Sequence, residues 1–83
     1  MNAVTIYTTK VCPYCVRAKG ILRRNGLVFT EIDVSRDEDR LALVEKSGRK
    51  TVPQIYIGEH HVGGCDDLEA AEQSGALSQL VSA

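Results

Sequence analysis

The sequence lacks an excess of charge of either sign: ten basic and eleven acidic residues leave a net charge of −1. With a pI near 6.1, nothing drives binding to a nucleic-acid backbone or an anionic membrane. No apolar run approaches the ~18 residues that a membrane span needs. The first ten residues, MNAVTIYTTK, lack a basic segment followed by an apolar one, so no secretion signal is expected. Internal repeats, linkers and low-complexity segments are missing, and so is tryptophan.

What is present suits one small domain spanning residues 1–83. Apolar residues make up 43% of the chain, enough for a single core, and charged residues 25%, an ordinary globular value. The three cysteines, Cys12, Cys15 and Cys65, are an odd number. That fits a secreted disulfide scaffold poorly and a cytoplasmic protein that uses thiols chemically well.

Ala3–Tyr7 is short and β-branched, and predicts a first strand. Pro13 stands where a helix would begin, and Cys15, Ala18 and Leu22 form one buried stripe behind it. Asn25-Gly26 ends that helix. Val28–Val34 alternates as a second strand. Ser35-Arg36-Asp37-Glu38 matches a capping box, predicting a helix from Arg36 to Lys46 whose buried face is Leu41, Val44 and Ala42. Val52–Ile57 predicts a third strand, with Pro53 at its start. Gly58-Glu59 turns into a fourth strand over His60–Val62, which Gly63-Gly64 ends. Asp66 and Asp67 open a third helix, and Leu77–Val81 forms a last short one. The expected architecture is α/β: a βαβ unit with parallel strands, a helix, then an antiparallel hairpin and two helices. Together these give a four-stranded mixed sheet flanked by helices.

Cys12-Pro13-Tyr14-Cys15 carries the strongest chemical signal. Cys12 falls at the helix N-cap, where unpaired N–H groups and the helix dipole favour the thiolate, the reactive species in disulfide exchange. Lys10 adds a cation two residues upstream. Cys15, one turn inward, is expected to stay protonated until Cys12 has formed a mixed disulfide. The competing reading is half of a zinc site, with Cys65 and His60 or His61 supplying the other ligands. A single C-x-x-C beside a βαβ pattern favours redox chemistry.

With CPYC at 12–15, TVPQIYI at 51–57 and GGCDDL at 63–68, in this order and spacing, the whole chain resembles the glutaredoxins. It is most similar to their small bacterial, class I dithiol members, and the resemblance implies the thioredoxin-like fold. It also implies a glutathione-dependent thiol–disulfide oxidoreductase, with glutathione as co-substrate and no tightly bound cofactor or metal. Cys12 is then the nucleophile toward glutathione mixed disulfides and Cys15 the resolving thiol for protein disulfides. The implied partners are glutathione and disulfide-containing or glutathionylated proteins, with ribonucleotide reductase one family-level candidate; no nucleic acid or membrane is expected, and a monomer is.

The resemblance also assigns a glutathione site. Pro53 matches the family's cis-proline, which turns the Val52 backbone toward an extended substrate, and Thr51 positions that pair. Asp66 matches the residue that holds the γ-glutamyl end, with Gly64 and the Cys65 backbone completing the pocket and Asp67 assisting. Both aspartates also read as helix caps. Lys10 and Arg40 match positions that meet the glycyl carboxylate, although Arg40 reads equally as a solvated charge. Tyr14 is expected beside the mixed disulfide. Cys65 reads first as a small buried hydrophobe, while its place near the pocket opens it to oxidation or glutathionylation. His60 and His61 are assigned to solvent. Arg17, Lys19, Arg23 and Arg24 read as a solvated helix face with some power to steer anions. Two other functions stay open: a carrier of a [2Fe–2S] cluster, whose usual members have glycine where this chain has Pro13, and a thioredoxin, against which Pro13-Tyr14 and GGCDD both argue.

Overall fold

The computed structural model describes all residues 1–83. Its elements run β1 (Val4–Thr8), α1 (Pro13–Arg24), β2 (Phe29–Asp33), α2 (Asp37–Ser47), β3 (Gln54–Ile57), β4 (His60–Gly63), α3 (Cys65–Ser74) and α4 (Ala76–Ser82). The strands form one sheet in the order β2-β1-β3-β4. β1 pairs parallel with β2, from Val4 opposite Phe29 to Thr8 opposite Asp33, as a helical crossover requires. β3 pairs antiparallel with both β1 and β4, and a register shift interrupts the β3–β4 ladder between Ile55 and Tyr56. No helix is long and apolar enough to cross a membrane.

Strand alternation sends side chains to two unlike faces. Val4 and Ile6 of β1, with Ile55 and Ile57 of β3, point to the main core. There they meet Ala18, Ile21 and Leu22 of α1, Leu68 of α3, and Leu77 and Val81 of α4. The expected stripe on α1 is thus buried, with Ile21 added to it. Asn2 closes the far end, its side-chain amide donating to the carbonyls of Leu80 and Ala83.

The opposite face carries Tyr7 and Tyr56 and is covered by α2 alone. Lys46 of α2 sits over both rings, 5.6 and 4.8 Å from their centroids. This cover is thin, leaving a groove of about 270 Å³ between α2 and the sheet.

Several expectations are corrected here. Leu43 is the one buried residue of α2, whereas Leu41 is 65% exposed, Ala42 exposed and Val44 half-buried. The capping box does not form. Arg36 is the N-cap and has no side-chain cap bond, because the Ser35 hydroxyl instead accepts from the Lys10 backbone N–H. The helix start relies on Asp37, Glu38 and Asp39, which suit the positive end of its dipole. β3 begins at Gln54 and not at Val52: Pro53 has no N–H to give to a ladder, and Val52 stays outside the pairing. Val28 lies outside β2 and is exposed, while Phe29 packs against the core.

Candidate active site

The β1–α1 loop delivers Cys12 to the N-cap of α1 in an extended conformation, φ −152° and ψ 99°. Its sulfur accepts the backbone N–H of Cys15 at 3.1 Å, so the thiol position is one where a helix N–H supports negative charge. Cys12 and Cys15 are joined in a disulfide with their Cα atoms 5.2 Å apart. Cys15 is buried at 2% exposure and Cys12 is only half-buried, which separates an approachable sulfur from a sheltered one.

The Val52–Pro53 peptide bond is cis. The loop that carries it stands across from the dithiol, and the Val52 carbonyl oxygen lies 3.8 Å from Cys12 Sγ. A pocket of about 260 Å³ opens along this loop. Tyr14 forms one wall and Thr51, Val52 and Pro53 another, and Gly64, Cys65, Asp66 and Asp67 close it at the start of α3. Eight of the residues expected at a glutathione site therefore share one cavity.

Two do not reach it. Arg40 turns away and donates to the Lys50 carbonyl, tying α2 to the loop before Thr51. Lys10 is exposed and does not line the pocket. The pocket's cation is Arg49, which sequence reasoning missed. It bonds Asp67 at 3.1 Å across 18 positions of sequence, and no local pattern announces that pair.

Asp67 is fully engaged. One of its oxygens accepts the Gly64 N–H at 2.9 Å and also meets Arg49. The Gly64 bond first, and Arg49 second, hold its carboxyl below the usual carboxylate range. Gly63 permits this arrangement: with φ +117°, a Cβ there would fall 2.3 Å from that same oxygen. Asp66, by contrast, is exposed on the pocket wall and has no side-chain partner. Cys65 is buried in the pocket wall and the core together, and burial pushes its thiol pKa up.

No three His, Cys, Asp or Glu side chains converge as metal ligands. His60 is exposed. His61 is not in solvent as expected: its ring stacks on Tyr56 at 4.6 Å and its Nε2 lies 2.7 Å from Gln54.

A dithiol at a helix start, facing a cis-proline loop at the ends of the two central strands of a four-stranded mixed sheet, defines a thioredoxin-like thiol–disulfide oxidoreductase. The glutaredoxin family model matches residues 4–62, and the chain belongs to the glutaredoxin family. A glutaredoxin from Pseudomonas aeruginosa is 56% identical over the full length of both chains. The solution structure of glutaredoxin from Brucella melitensis is 55% identical and has a TM-score of 0.88, covering 98% of this chain and 89% of that one. A buckwheat glutaredoxin, crystallised as its glutathione complex, also has a TM-score of 0.88. It is 28% identical, covering 98% of this chain and 77% of that one.

Proposed function

We propose that this oxidoreductase takes its electrons from glutathione. The observation that carries the reading is the charge pattern of the pocket beside Cys12. Glutathione bears two carboxylates, one ammonium and an extended peptide. The pocket offers Asp66 for the ammonium, and Arg49 with the first N–H groups of α3 for carboxylates. Val52, outside the sheet ladder, offers its backbone to an extended peptide. The buckwheat relative, solved with glutathione, supports the same reading.

The chemistry follows from one half-buried, approachable sulfur and one buried sulfur. The Cys12 thiolate attacks the glutathionyl sulfur of a mixed disulfide; the partner thiol leaves and takes up a proton. Cys12 now carries glutathione. A second glutathione thiolate attacks the glutathionyl sulfur, releasing oxidised glutathione and the Cys12 thiolate. With a protein disulfide, Cys12 forms a mixed disulfide to the protein. Cys15 then attacks the Cys12 sulfur, which frees the reduced protein and leaves the Cys12–Cys15 disulfide. Two glutathiones restore the dithiol. Glutathionylated or disulfide-bonded proteins are the substrates, and a monomer in the reducing cytoplasm is the working form.

The test is reduction of a small glutathione mixed disulfide, coupled to glutathione reductase. Wild-type turnover is expected, with none in Cys12→Ser. Cys15→Ser is expected to retain this reaction and lose reduction of protein disulfides. Full activity in Cys12→Ser overturns the mechanism.

A further inference from the structure

The Gln54 side chain is completely buried directly behind the cis-proline loop. Its Nε2 lies 3.0 Å from the Thr51 carbonyl oxygen and 3.2 Å from the Thr51 hydroxyl. A carbonyl oxygen only accepts, so the amide atom facing it must be the NH₂. The amide oxygen therefore faces His61, and with Nε2 of that ring 2.7 Å away, Nε2 must carry the hydrogen. The ring cannot swing out of this bond freely, because it lies flat on Tyr56 with 16° between the planes. Tyr56 is in turn held edge-on by Tyr7 and covered by Lys46. A chain of donors thus runs in one direction, from His61 through Gln54 to Thr51, the residue that leads into Val52–Pro53.

We propose that His61 is a positioning residue for substrate: by donating Nε2–H to Gln54 it holds the amide that anchors Thr51, and so sets the Val52 backbone against which an extended peptide pairs. Without that donor, the buried amide oxygen is left unpaired, nothing fixes the amide from that side, and its hold on Thr51 loosens. His61 itself touches no substrate and does not line the pocket. The inference rests on Val52 being the edge that glutathione uses.

The experiment compares wild type, His61→Leu and His61→Gln on a glutathione mixed disulfide, reading KM and kcat separately. Leucine keeps an apolar side chain on Tyr56 without a donor; glutamine restores an N–H. For His61→Leu, KM is expected to rise about 2- to 10-fold, the scale of one lost neutral hydrogen bond, with kcat within about twofold. His61→Gln is expected to return KM toward wild type. An unchanged KM in folded His61→Leu overturns the proposal, as does a His61→Gln that matches wild type in Tm but not in KM. A second readout does not depend on the variants or on activity. Long-range ¹H–¹⁵N NMR of the wild type at pH 8 is expected to show the Nε2–H tautomer at His61, and an Nδ1–H tautomer overturns the proposal. If wild type fails to turn over glutathione mixed disulfides, the substrate reading falls, while the tautomer still decides whether the chain of donors exists.

Discussion

Asp66 and Asp67 are neighbours of the same type, yet only Asp67 has partners. Both read as caps or as ligand residues in sequence, because each stands in the first turn of a helix. The fold separates them: Asp67 folds back on the Gly64 N–H and Arg49, while Asp66 faces the pocket alone. Asp66→Asn is therefore expected to raise KM for glutathione substrates about 3- to 10-fold, by removing one charge-assisted contact, with little effect on Tm. Because Asp66 is exposed, that difference should shrink as salt rises, which steady-state kinetics at two ionic strengths will show. Gly63 makes the converse case. Its left-handed backbone and the 2.3 Å approach to Asp67 leave no room for a side chain. Gly63→Ala is expected to lower stability by about 1–3 kcal/mol, read by denaturant unfolding. Arg49, Gln54 and His61 were not legible as site residues. Each acts through a partner from another segment, and a single sequence does not say which segments will meet.

Among the elements, α1 and α2 differ in how they are held. The stripe of α1 was legible because its apolar residues are spaced at helical intervals and separated by charges. In α2 the apolar residues run together as Leu41-Ala42-Leu43-Val44, and a run of four points in every direction around a helix. Only packing against the sheet chooses among them, and it chooses Leu43. With one buried anchor and a groove beneath it, α2 is expected to exchange its amide hydrogens faster than α1 and α3 by hydrogen-exchange mass spectrometry. The same limit applies to the start of α2. Ser35 has the composition of a capping residue, but the Lys10 backbone N–H, 25 positions away, occupies its hydroxyl. The strands, the parallel β1–β2 pair and the β3–β4 hairpin were legible apart from their ends, since period-two alternation and glycine turns are local signals; the β1–β3 pairing that joins the two halves was not.

The whole molecule is tied across its layers by ion pairs that set its acid response. Arg24 and Asn25 at the end of α1 both bond Glu72 of α3, Arg24 contributing most, and hold its carboxyl at about 2. Thr8 first, then Lys19, lower Glu31 likewise, joining β1 and α1 to β2. A carboxylate depressed by folding stabilises the native state above its unfolded value, here 4.5, and this support fades as pH falls toward about 2. Denaturation midpoints are expected to drop over that window, and Glu72→Gln is expected to flatten the drop. Burial, with Arg49 next, lowers the His61 pKa from its ordinary 6.5, so folding is weakened in the same direction as pH falls below that value. Sequence by itself determined the kinds of elements, the helix-start dithiol and the family, because these depend on residues within a few positions of one another. It also marked most of the pocket, through motifs each contained in one short segment. Only the tertiary structure decided which carboxylate stays unpaired, which cation enters the pocket, which face of α2 is buried and where His61 points. Those outcomes depend on contacts between distant segments, where burial and hydrogen-bond satisfaction across the whole chain outweigh local preference.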